Sequence, residues 1–150
     1  MTKFIFLCLG VLAAALSVKA LSKEEINHIK EAAMLHFAEC NKDFEVSEAD
    51  IKDAEEHKNI DKLDPCLIGC MMKRSQMMNS EGKLDVAKTI EMSKEFMKSE
   101  DDQKNFANII TECASVNDES VSDGENGCER SKLILLCLGK HKADFLNARR

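Results

Sequence analysis

The placement of its cysteines restricts this chain more than any other feature. They are Cys8, Cys40, Cys66, Cys70, Cys113, Cys128 and Cys137. Cys8 stands in a segment that reads as an address rather than as structure. Met1-Thr2-Lys3 is a short basic start, Phe4 to Leu16 is an almost unbroken apolar run, and Val18-Lys19-Ala20 puts small residues where a signal peptidase reads. The run is shorter than the roughly 20 residues that a membrane-spanning helix needs. Residues 1–20 are therefore expected to be a signal peptide cut after Ala20, with one domain over residues 21–150. Six cysteines remain, and an even number in a small exported chain predicts a disulfide framework.

Between the cysteines the pattern is helical. Pro65 is the one proline, Trp and Tyr are absent, and the few glycines cannot supply the turns of a sandwich or barrel. Ser22-Lys23-Glu24-Glu25 is a capping box, followed by Ile26, Ile29, Ala33, Phe37 and Cys40 as one apolar stripe. Ser47 with Asp50 starts a short, mostly charged helix reaching about Asn59, with Ile51 and Ala54 inward. Asp64-Pro65 opens a third helix that is expected to reach Met78, before Asn79-Ser80-Glu81-Gly82 breaks it. A fourth is predicted from Leu84 or Asp85 to Met92, and a fifth from Ser99 through Phe106, Ile109, Ile110 and Cys113. Residues 117–127 read as a polar loop. The sixth helix, Cys128 to Phe145, holds Leu133-Ile134-Leu135-Leu136-Cys137-Leu138, apolar on every face, and is expected to run through the middle of the domain. The fold class is all-α, a compact six-helix disulfide-bonded domain.

Loss of the first 20 residues leaves 19 basic residues against 27 acidic ones, a net charge of −8. Such a surface repels phosphate backbones and anionic lipid heads, so neither nucleic acid nor membrane insertion is expected. No Gly-x-Ser-x-Gly, Cys–His nucleophile pair or phosphate-binding glycine loop occurs, which argues against an enzyme and against a cofactor. His36 and Cys40 have the spacing of a zinc pair, but a disulfide-bonded Cys40 cannot ligate, and no metal is expected. Asp118, Ser120, Ser122 and Glu129 approach a calcium-loop spacing without its glycine in register, and read as a polar loop.

Cys66 and Cys70 project from nearly one face of a helix, whereas Cys128 and Cys137 leave theirs in roughly opposite directions. Six cysteines still allow 15 pairings. The pattern Cys40-x25-Cys66-x3-Cys70-x42-Cys113-x14-Cys128-x8-Cys137 resembles the insect odorant-binding proteins, the pheromone and general odorant-binding family, with the x3 and x8 gaps as its specific part. The resemblance covers essentially all of residues 21–150. It implies the pairing Cys40–Cys70, Cys66–Cys128 and Cys113–Cys137, and a secreted, extracellular carrier that shelters a small hydrophobic ligand in an internal apolar cavity.

A cavity of that kind needs apolar side chains and no catalytic residue. The candidates are Met71, Met78, Phe96, Phe106, Ile110, Leu135, Leu138 and Phe145 on the later helices, each equally readable as ordinary core. Met71-Met72 and Met77-Met78 add flexible, polarizable walls, which predict broad affinity for flexible aliphatic molecules. His141, near the end of the last helix, is a candidate for pH-dependent release. A chemosensory receptor is a further expected partner, and the chain is expected to be a monomer or weak homodimer. The same fold also fits a lipid carrier of haemolymph or glandular secretion. A third reading, from another class, is a disulfide-bonded helical signalling protein, which would have a solid core.

Overall fold

The computed structural model describes residues 21–56 and 63–147, with side chains, Glu55 excepted, described as far as His141. Six α-helices lie within them: α1 Lys23–Cys40, α2 Glu48–Glu56, α3 Pro65–Arg74, α4 Val86–Phe96, α5 Glu100–Cys113 and α6 Cys128–Asn147. Among the described residues the sole β pairing is an isolated bridge between Met78 and Leu84. The expected signal peptide, residues 1–20, and the stretch toward Asn59 lie outside the described residues.

Helix starts follow from local chemistry. Ser22 Oγ accepts the Glu25 N–H at 3.1 Å while Glu25 Oε2 takes the Ser22 N–H at 2.7 Å. Ser47 and Asp50 repeat the exchange at 3.2 and 3.0 Å. Asp64 Oδ1 accepts the Cys66 N–H at 2.8 Å, with Pro65 at the first helical position. Asp85 caps α4 through the Lys88 N–H at 2.9 Å, and Ser99 caps α5 through that of Asp102 at 3.4 Å. Each bond satisfies an amide that the first turn leaves without an intrahelical acceptor.

Helix ends depart from the sequence pattern. α3 stops at Arg74 rather than at Met78, because Gln76 takes a left-handed φ of 58°. The Met77 and Met78 N–H groups then fold back onto the Met72 carbonyl, at 2.9 and 3.1 Å. α4 runs one turn past Met92 to Phe96, where the Met97 N–H still reaches the Ser93 carbonyl. The loop at 117–127 is partly ordered into 3-10 turns at Ala114–Asp118 and Gly124–Asn126.

The core comprises two clusters. The larger gathers Ile68 and Met72 of α3, Met78, Leu84, then Ile109, Ile110 and Cys113 of α5, Val116, and Ile134 of α6. The smaller joins Phe37 and Cys40 of α1 to Leu67 of α3. α3 and α6 are the most extensively packed pair of helices. The expected burial of α6 on all sides is corrected: Ile134 is fully buried, but Leu136 is 44% exposed. Two residues of helix turn the chain through about 200°, so Leu136 faces away from the core that holds Ile134. Ala33 likewise falls outside the buried part of the α1 stripe, which is closed by Phe37 and Cys40 alone.

The disulfides are Cys40–Cys70, Cys66–Cys128 and Cys113–Cys137, with Cα separations of 5.9, 4.2 and 5.8 Å. They are the three pairs that the resemblance implies, and native bridges contribute typically 2–4 kcal/mol each. They tie α1 to α3, α3 to α6, and α5 to α6. Buried Arg130 anchors the connection before α6 by donating to the carbonyls of Val116 and Glu119.

Candidate functional site

Several apolar side chains pack on the larger cluster while staying only partly buried. They are contributed by four regions: Leu63 and Met77 flanking α3, Val86 and Ile90 of α4, Phe106 of α5, and Leu133, Leu135 and Leu138 of α6. The helical period explains the grouping. Phe106 lies one turn before fully buried Ile110, and Leu138 one turn after Ile134. Leu133 and Leu135 flank Ile134 on either side, so α6 turns a broad apolar face inward.

Five of the eight residues predicted from sequence meet at this cluster: Met78, Phe106, Ile110, Leu135 and Leu138. They differ in position. Phe106, Leu135 and Leu138 are partly accessible, whereas Ile110 is fully buried and Met78 is 3% exposed. Met78 is committed to the fold, because its sulfur lies against the backbone of Gly127: a Cβ on that glycine would sit 2.5 Å from it. Met71 joins the smaller cluster, with Phe37, Cys40 and Leu67. Phe96, at the end of α4, belongs to neither cluster among the described residues. The side chain of Phe145 lies outside the described ones.

Leu63, Met77, Val86, Ile90 and Leu133 pack on the same cluster, partly buried, and were not among the eight candidates named from sequence. Val86 and Ile90 were legible as an i, i+4 pair on the inner face of α4. Met77 was not, because its orientation depends on the turn at Gln76.

Polar groups beside these side chains are satisfied by the backbone. Ser93 Oγ donates to the Ile90 carbonyl at 2.7 Å, and Thr89 Oγ1 to that of Met77 at 3.5 Å. Asn117 holds both polar groups of Leu84, accepting its N–H at 2.8 Å and donating to its carbonyl at 3.0 Å. His141 Nε2 stands 3.4 Å from Glu112 Oε2 at the α5–α6 edge. Cys113, Cys137 and His141 bring potential ligand atoms within 4.8 Å of one another. The two sulfurs are bonded together, however, and offer no thiolate to a metal. In the loop with calcium-like spacing, Asp123 Oδ2 accepts the Cys128 N–H at 2.6 Å and the Glu129 N–H at 3.2 Å. Glu129 is taken up by Ser122, and Asp123 holds the start of α6 through Oδ2, while its Oδ1 is buried without a hydrogen-bond partner.

No described helix is long and apolar enough to cross a membrane. No curated protein and no solved structure matches the chain. The sequence model of the PBP/GOBP family matches residues 22–141, which takes in five of the described helices, α6 as far as His141, and all three disulfides. With six helices, three cross-links and that match, the chain belongs to the PBP/GOBP family, the insect odorant-binding proteins.

Proposed function

We propose that this protein is a secreted carrier that takes up small, flexible, hydrophobic molecules such as odorants, pheromones or other semi-volatile lipids. The observation that carries the reading is the wall of Val86, Ile90, Phe106, Leu135 and Leu138. These side chains pack on a disulfide-held core yet remain partly accessible. A PBP/GOBP chain that holds a ligand against such side chains needs no reacting group. Residues 1–20 direct the chain out of the cell and are removed after Ala20.

Aliphatic ligands are favoured over aromatic alcohols, because the chain has no Tyr or Trp to hydrogen-bond a phenol while stacking on it. Methionine, with a flexible and polarizable thioether, adapts the wall to several chain shapes. Displacement of a fluorescent apolar probe tests the proposal. Long-chain aliphatic alcohols, esters or aldehydes displace it, and aromatic alcohols do so weakly. A protein that takes up no probe while fully oxidised and folded is not a carrier of this kind.

A further inference from the structure

On the side of α3 away from the larger core, an open groove of about 410 Å³ is lined by Cys66, Cys70, Lys73, Arg74, Asn126 and Cys128. Two cations and no acidic side chain line it, in a chain whose overall charge is −6. Lys73 is partly engaged, with Nζ donating to the carbonyls of Glu125 and Asn126 at 2.8 and 2.9 Å. Arg74, exposed at the last position of α3, feels the Glu39 carboxylate only at a distance.

The three bridges differ in how a nucleophile can reach them. Cys40, 2% exposed, and Cys113, fully buried, each close one end of their bridges inside apolar clusters. Attack on those sulfurs is blocked. Attack on their partners, Cys70 and Cys137, would expel a thiolate into apolar surroundings, where a bare charge is strongly disfavoured. Neither Cys66 nor Cys128 is buried, and both line the groove. Either sulfur of this bridge can be approached, and either can leave as a thiolate in contact with water.

We propose that the groove is a modification site for small thiols carrying carboxylates, which open Cys66–Cys128 in preference to the other two bridges. The incoming thiolate sulfur bonds to Sγ of one of the pair. The Cys66–Cys128 bond breaks, and its electron pair stays on the other Sγ, which then takes a proton from water. One thiolate enters and one leaves, so no oxidant is needed. Arg74 and the remaining N–H of Lys73 attract the carboxylates. The fold outlasts the exchange because two bridges stay closed and Ser131 Oγ still ties α6 to α3 through the Pro65 carbonyl at 2.8 Å.

The experiment treats the folded, oxidised protein with reduced glutathione and, separately, with uncharged 2-mercaptoethanol. Free thiols are trapped by alkylation and mapped by peptide mass spectrometry. Glutathione or alkyl label appears on Cys66 and Cys128 at least about tenfold faster than on the other four cysteines, as thiol access controls exchange rates. Arg74→Gln slows glutathione several-fold and leaves 2-mercaptoethanol unchanged. Cys70 is the internal control, since it lines the same groove but its partner Cys40 is buried. Labelling of Cys40–Cys70 or Cys113–Cys137 at an equal or greater rate overturns the site. An Arg74→Gln effect that is absent, or equal for both thiols, overturns the ionic recognition.

Discussion

Glu25 Oε1 accepts the backbone N–H of Lys98 at 2.7 Å, fastening the first turn of α1 to the connection between α4 and α5. The same carboxylate closes the Ser22 capping box through its other oxygen, so one buried side chain both starts a helix and docks it. Lys98 reinforces the link from outside, with Nζ 3.7 Å from Glu24.

This arrangement predicts an acid sensitivity centred on α1. The Lys98 N–H, then the Ser22 backbone and hydroxyl groups, hold the Glu25 carboxyl below the usual carboxylate range. Its contribution to stability is therefore complete above the unfolded value, roughly 4.3, and is lost as pH falls through the lower folded value. Glu25→Gln lowers the thermal midpoint near neutrality and leaves it unchanged in strong acid, where the native carboxyl is protonated too. Equal destabilisation by Glu25→Gln at both pH values would contradict the assignment.

Two glycines of the turn region are predicted to respond unequally to alanine. Gly82 and Gly127 both have positive φ, 70° and 72°, at which any other residue is strained by about 1–3 kcal/mol. A Cβ at Gly82 meets the Gly124 carbonyl oxygen at 2.7 Å, whereas at Gly127 the nearest atom is the Met78 sulfur. Backbone cannot move aside as a thioether can. Gly82→Ala should therefore cost more than Gly127→Ala in urea denaturation.

Wall and core residues should separate cleanly in paired measurements. Phe106→Ala and Leu138→Ala are expected to weaken probe binding with modest loss of stability, since both side chains are partly accessible. Ile110→Ala and Ile134→Ala, at fully buried positions, should each cost about 2–5 kcal/mol. If all four behave alike in both assays, the division between ligand wall and packed core is wrong.

Asn117→Ala tests how the connection before α6 is held. It strips both hydrogen bonds from Leu84, a 3%-exposed core residue, and leaves a peptide N–H and carbonyl without those partners. The expected loss is about 1–3 kcal/mol, seen by amide hydrogen exchange as earlier opening at Leu84 than in the α3–α6 core.

The sequence by itself determined where five of the six described helices begin. Ser22, Ser47, Asp64, Asp85 and Ser99 act through bonds to amides two or three residues ahead, and such short-range geometry is written in the order of residues. The x3 and x8 cysteine gaps likewise carried the family and, through it, the bridges. Tertiary structure alone decided where α3 ends, which face of α6 meets water, and that Met78 packs on Gly127 while Met77 lies partly buried at the edge of the larger cluster. Those outcomes depend on atoms distant in sequence, since a buried surface is defined only by what is laid against it.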